Sequence, residues 1–364
     1  MKKIGIITYH FARNYGATLQ CFALQDCIAK LGHDVEVLNC VSNKQINNND
    51  YIKHGKDIKH IVTNACLLPF MKVRKKRNDR FEAFCDSWLN LSKRIGDSKE
   101  LKQYIDDTNF DVIISGSDQV FNPNVDDFEE LFFFPFSSRA IKVAYAASTG
   151  NATKEDLSPY RNYIADFKFI SIREEKDLTK FEAELRDRIS IVCDPVMLMT
   201  GEEWSSLINR RKNARYLVCY FLHKEYFRTE YRYAKQIAKT LGLKIKYINA
   251  RFSKESLKRN TIFTAGPYDF VQLLANAEYI CTDSFHGTLF ALLLGKPFSC
   301  FDTKENTTDS RRKNLLESVG ASAAFHYIED ANAITNGLDY TDINEKIKKI
   351  QNDSKLFLEK IIGQ

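Results

Sequence analysis

Residues 279 to 298 bring together an apolar strand pattern, a carboxylate, a hydroxyl and an imidazole within a few positions. The strand Tyr279-Ile280-Cys281-Thr282 ends in the polar pair Asp283-Ser284, and an apolar helix pattern follows at once with Phe285, His286, Gly287 and Thr288. That order sets an imidazole beside the unsatisfied N–H groups of a helix N-terminus, an arrangement suited to an anion. His286 is the natural general acid or base of such a site, because imidazole titrates near neutrality without a large shift. The plainer reading is that Asp283 or Ser284 merely caps the helix and His286 is a structural histidine.

Three further segments follow predicted strands, where open α/β sheets bind ligands. Arg13-Asn14-Tyr15-Gly16 opens the first helix with a glycine whose backbone can approach a phosphate or a sugar. A single glycine makes no dinucleotide fingerprint, and an ordinary strand-to-helix turn explains it equally well. Ser115-Gly116-Ser117-Asp118-Gln119, with Asn122 just beyond, offers hydroxyls, a carboxylate and amides that suit a carbohydrate's mixed donors and acceptors. A polar turn without function is the alternative. Arg173, in Ser171-Ile172-Arg173-Glu174-Glu175, stands at a strand end as a bidentate donor for a carboxylate or phosphate, unless it only pairs with a surface glutamate.

The elements that must hold these groups alternate strand and helix, the rhythm of a parallel sheet covered on both faces. Strands are predicted near residues 3–8, 34–39, 111–115, 142–147, 169–173 and 189–193. A second series follows at 216–222, 244–248, 279–283 and 297–301. The expected architecture is therefore α/β, with two Rossmann-like lobes facing a cleft, residues 1–208 and 209–335, and a tail 336–364 whose helix packs back on the first lobe. Residues 41–60 read as a polar loop or insertion. Between Lys72 and Arg80, six basic residues fall in nine positions. Such a run is usually a solvated helix face; the sharper reading is a patch resting on an anionic membrane.

A chain of 364 residues with 44% hydrophobic and 27% charged residues is ordinary globular material. No stretch reaches the ~18 apolar residues of a membrane span, and the opening apolar run reads as a first buried strand of a cytoplasmic protein. The nine cysteines include no C-x-x-C pair, which favours buried free thiols over a zinc site. A net charge of +6 is too mild to argue for nucleic acid.

Taken in order, Asn14-Tyr15-Gly16-Ala17, Ser115-Gly116-Ser117-Asp118-Gln119-Val120-Phe121-Asn122, Ser171-Ile172-Arg173-Glu174-Glu175, Cys193-Asp194-Pro195, Asp283-Ser284-Phe285-His286-Gly287 and Gly295-Lys296-Pro297 resemble the polysaccharide pyruvyl transferases. The resemblance implies a glycosyltransferase-B-like enzyme that moves an enolpyruvyl unit from phosphoenolpyruvate onto two hydroxyls of a glycan, forming a cyclic pyruvate ketal in surface polysaccharide biosynthesis. It implies catalytic roles for His286, Arg173 and Asp283, and donor contacts from Ser284, Phe285, Gly287, Thr288, Lys296, Arg311 and Arg312. Asn14, Tyr15, Gly16, Ser115, Gly116, Ser117, Asp118, Gln119 and Asn122 fall to the acceptor side. No cofactor or metal is implied. The partners are phosphoenolpyruvate and a glycan or lipid-linked oligosaccharide, with peripheral contact at the inner membrane face. Some members carry Arg two residues before the histidine, where this chain has Ser284, so one expected cation must come from elsewhere. A nucleotide-sugar glycosyltransferase and a non-catalytic sugar- or phosphate-binding scaffold are the competing functions.

Overall fold

The computed structural model describes residues 1–50, 52, 64, 67–209, 215–250, 260–304, 311–330 and 338–363. Contacts divide the chain into two compact units, residues 1–198 with 350–364 and residues 199–349. The division falls after Leu198 rather than after residue 208. The intervening helix Gly201–Ser206 belongs to the second unit, where Trp204 packs edge-on against Phe290 with ring centroids 5.0 Å apart.

The first unit is built from β1 (Lys3–Ile7), α1 (Tyr15–Lys30), β2 (Asp34–Val37), α2 (Asn43–Asn49), α3 (Met71–Trp88), α4 (Ser98–Thr108), β3 (Val112–Ser115), β4 (Ile141–Ala147), β5 (Phe169–Ile172) and β6 (Ile189–Ile191). Its six strands are parallel in the order β2-β1-β3-β4-β5-β6. The central strands are continuous apolar runs because helices and loops cover both faces, the usual state of a parallel sheet. Phe121, Phe132, Phe133, Phe134 and Phe167 fill the core on one face. Part of the polar stretch expected as a loop, residues 41–60, is helical. Ser42 and Gln45 form a reciprocal capping box that starts α2.

The second unit contains α5 (Gly201–Ser206), β7 (Tyr216–Tyr220), α6 (Phe227–Leu241), β8 (Lys244–Ile248), β9 (Thr261–Ile262), α7 (Pro267–Ala275), β10 (Tyr279–Thr282), α8 (Phe285–Leu293), β11 (Phe298–Asp302), α9 (Arg311–Ser318) and β12 (Phe325–Tyr327). Its parallel strands run β12-β11-β10-β7-β8-β9. The closing helix α10 (Tyr340–Gly363) ends within the first unit, where Ser354 Oγ accepts from the Cys193 N–H at 2.9 Å and Gln351 donates to the Met197 carbonyl at 2.7 Å.

Each sheet has one place where chain order reverses, between β1 and β3 in the first and between β7 and β10 in the second. Ligands of open α/β sheets lie beyond the carboxyl ends of strands at such a point. The residues just after β1, β3, β7 and β10 are therefore the ones the fold presents.

Candidate active site

In the second unit the switch point is bridged by side chains. The buried Asp283 carboxylate, one residue past β10, accepts the backbone N–H groups of Leu222 at 2.7 Å and His223 at 2.8 Å, just past β7. Its Oδ2 also lies 2.7 Å from Nδ1 of His223. That bond to Asp283 holds the His223 imidazole above its ordinary pKa, against a weaker downward push from burial. The His223 side chain keeps 38% of its surface exposed, whereas Asp283 keeps 1%. Sequence reasoning missed His223, although it directly follows the strand predicted for residues 216–222.

Ser284 is the N-cap of α8, its extended backbone leading into the helix and its hydroxyl accepting from the Gly287 N–H at 3.3 Å. Thr288 donates to the Ser284 carbonyl at 2.9 Å and lies 3.3 Å from Cys300 Sγ. A Cβ on Gly287 would fall 2.3 Å from Thr282 Oγ1, so the glycine lets α8 press against β10. Ser284, Gly287 and Thr288 are buried and shape the helix start, the Ser284 and Thr288 hydroxyls being engaged in local hydrogen bonds. Phe285 and His286 remain partly exposed at the helix N-terminus.

The cations divide into three cases. Arg312 is buried, donates to the Asp283 carbonyl and pairs with Asp302 at 2.6 Å, tying the end of β11 to the end of β10. Arg311 rests over the Phe285 ring with 6.0 Å to its centroid. Lys296 follows α8 and precedes β11, at the amino edge of the sheet and roughly 13 Å of helix from Ser284. Behind Asp283, the buried carboxyl of Glu230 has an oxygen without a hydrogen-bond partner among the described residues. Burial and then the neighbouring Asp283 push its pKa up to about 10, so it is neutral at pH 7.

The first unit's switch point is knit by Gln20, which donates to Thr8 Oγ1 at 2.8 Å and accepts the Ser117 N–H at 3.1 Å. The Thr8 hydroxyl donates in turn to the Ser117 carbonyl at 3.0 Å. Ser115, Gly116, Ser117 and Asn122 are all buried. Ser117 donates to Ala146, and Asn122 donates to Gln119 at 2.6 Å and Asn151 at 2.9 Å. Asn14 caps α1 by accepting the Gly16 N–H at 2.9 Å, while Tyr15 and Gly16 are buried behind it. The buried members build the turn, and Asp118, Gln119 and Asn14 are the members that reach the surface.

Arg173 is likewise inside the unit. Its Nε donates to Glu174 at 2.8 Å and its Nη1 to Asp194 at 2.5 Å, and all three side chains are at most 5% exposed. Within the first unit these two carboxylates hold the Nε and Nη1 positions of the guanidinium in a buried ion triad. Among the described residues no cluster of His, Cys, Asp and Glu has the spacing of a metal site.

Solved structures share this two-sheet α/β architecture. The UDP-GlcNAc 2-epimerase from Neisseria meningitidis is 12% identical and covers 100% of each chain with a TM-score of 0.52. The UDP-GlcNAc 2-epimerase from Methanocaldococcus jannaschii is also 12% identical, covers 97% of this chain and 93% of its own, and has a TM-score of 0.51. The glycosyltransferase SnogD from Streptomyces nogalater aligns over 100% and 99% at 11% identity and a TM-score of 0.47. The fold is thus that of the two epimerases, a pair of parallel-sheet Rossmann-like α/β units. No curated protein sequence matches the chain. The family model for polysaccharide pyruvyl transferase matches residues 14–305, from the cap of α1 past the end of β11, and the chain belongs to that family of enzymes.

Proposed function

We propose that the protein transfers the enolpyruvyl unit of phosphoenolpyruvate to two hydroxyls of one sugar in a glycan, releasing phosphate and leaving a cyclic pyruvate ketal. The methylene carbon gains one proton and becomes the methyl group. The adjacent carbon gains two C–O bonds and loses its bond to phosphate. Of the two hydroxyl protons, one balances the proton given to carbon and the other leaves with phosphate. The chemistry asks for acid–base groups and cations, with no resident metal or redox cofactor.

The observation that carries this reading is the gathering of His223, His286 and Arg311 around the N-terminus of α8 at a sheet switch point, braced from behind by the buried Arg312. An anion there meets helix N–H groups and cations together. His286 serves as acid or base, a role worth ~10² to 10⁴ in rate. The first unit's edge, where Asp118, Gln119 and Asn14 are exposed or partly so, offers hydrogen bonds to a neutral glycan.

Incubation with phosphoenolpyruvate and candidate nitrophenyl or lipid-linked glycosides tests the reading. A product heavier by one pyruvate ketal, formed with equimolar phosphate, is the expected outcome. Release of a nucleoside diphosphate from a nucleotide sugar, with phosphoenolpyruvate untouched, would establish the glycosyltransferase reading instead.

A lipid-linked acceptor would bring the enzyme to the cytoplasmic face of a membrane. No described helix is long and apolar enough to cross one. Contact would be peripheral, through Lys72, Lys75 and Lys76 on α3 with the neighbouring Leu68 and Val73, 62% and 39% exposed. Unchanged binding to anionic vesicles after Lys72 and Lys76 are both replaced by Gln would remove this contact.

A further inference from the structure

The proposed transfer needs one group to protonate carbon and another to accept a hydroxyl proton, and two imidazoles stand at the second unit's switch point. We propose that His223, oriented by Asp283, is the proton donor to the methylene carbon of the donor substrate, and that His286 takes the hydroxyl proton. The inference rests on the function proposed above and names a residue outside the Asp283–Gly287 motif.

Geometry separates the two histidines. His223 Nδ1 is fixed 2.7 Å from Asp283 Oδ2, which leaves Nε2 as the nitrogen available for transfer. Asp283 itself is held by two backbone N–H groups from the loop that carries His223, so carboxylate and imidazole move as one unit. A base, His or Asp, oriented by a third group is the recurring arrangement of activated proton-transfer sites. Three hydrogen bonds thus cross the switch point, and they end in a side chain that is 38% exposed.

The surrounding charges favour the protonated form. Asp283 faces His223 from the end of β10 and Glu225 from its own loop, while Arg312 on α9 opposes them; Glu230 on α6 and Asp302 at the end of β11 stand near Asp283 and Arg312. Arg312 is paired with Asp302 at 2.6 Å, and Glu230 is neutral through burial. The buried Asp283 charge is then balanced when His223 carries its proton. His286 stands at the second position of α8, on the other side of the Asp283-Ser284 turn from the loop that carries His223.

The test combines imidazole NMR with turnover, using the full chain, Asp283→Asn, His223→Gln and His286→Gln. In the wild-type protein the His223 resonance should titrate above ordinary imidazole and respond to added phosphoenolpyruvate; in Asp283→Asn its midpoint should fall. The alkaline limb of kcat/KM should move to lower pH with Asp283→Asn. His223→Gln should lower kcat by at least ~100-fold with a much smaller change in the KM for phosphoenolpyruvate. Turnover of His223→Gln within about threefold of wild type, beside an inactive His286→Gln, would reduce His223 to a strut while leaving the transferase reading intact. Absence of phosphate release and of any histidine response to phosphoenolpyruvate in the wild type would overturn that reading and the assignment with it. If His223→Gln does not fold, a wild-type titration midpoint at or below ordinary imidazole overturns the assignment.

Discussion

The guanidinium of Arg77 donates to the hydroxyl of Tyr15 at 2.5 Å and lies 4.9 Å from the centroids of both the Tyr15 and Phe81 rings. Its other nitrogen donates to the Arg13 carbonyl at 2.9 Å, so the middle of a basic run holds the loop that opens α1. Arg77 is buried, whereas Lys72, Lys75 and Lys76 on the same helix are exposed, and Lys75 pairs with Asp79 one turn on. The run is thus split between a strut and a solvated face. Arg77→Ala should cost about 2 to 4 kcal/mol, through lost charged hydrogen bonds and aromatic stacking. Lys76→Ala should cost under about 0.5 kcal/mol, and urea unfolding of both variants checks the contrast.

Gly287→Ala tests the packing of α8. The new methyl group meets Thr282 Oγ1 at 2.3 Å and Tyr220 at 3.2 Å, and Thr282 is committed to the Tyr220 carbonyl at 2.7 Å. Overpacking of this kind costs about 1 to 3 kcal/mol. Activity should fall further than stability alone explains, because the displaced helix carries His286. Thermal melts beside turnover at a temperature where the variant remains folded separate the two effects.

Glu230 makes stability depend on pH. Its carboxyl is raised from an ordinary value of 4.5 to about 10, so folding takes up a proton between those limits and stability falls as pH rises through that window. The slope approaches ~1.4 kcal/mol per pH unit for one full proton. Glu230→Gln removes the uptake, so the variant should melt higher than wild type at pH 8, with the gap closing toward pH 5. A gap that does not change with pH would show that Glu230 is ionised in the folded protein.

Arg173→Ala leaves Glu174 and Asp194 buried without their cation, which costs about 3 to 5 kcal/mol. The loss should appear as unfolding at moderate denaturant. Arg173→Met combined with Glu174→Gln and Asp194→Asn should recover a large part of it. Recovery of the fold without recovery of turnover would give Arg173 a part in binding as well as in packing.

Much of the fold is readable locally. Buried parallel strands such as Val112–Ser115 and Tyr279–Thr282 are short apolar runs, and polar or glycine-bearing turns separate them from helices. The short edge strands Thr261–Ile262 and Phe325–Tyr327 escaped, because two or three half-buried residues carry no periodicity. The helix Asn43–Asn49 escaped under its asparagines, although Ser42 and Gln45 spell a capping box. Asp283 and His286 were legible because strand end, cap and helix start are adjacent in the chain. His223 was not singled out, since a lone histidine after a strand gains meaning only from the strand beside it.

The sequence by itself determined the two alternating series, the capped start of α8 and the types of residue available at its N-terminus, because each depends on neighbours within one or two turns. Tertiary structure decided which of those residues are buried against partners and which reach the surface. Sheet order sets β7 against β10 and so joins His223 to Asp283 across 60 residues of chain. Packing buries Arg77, Arg173 and Arg312 against partners that no local spacing pairs with them. Charge is a property of a residue, but whether it is spent inside the fold or offered to a substrate depends on desolvation and on contacts between distant segments.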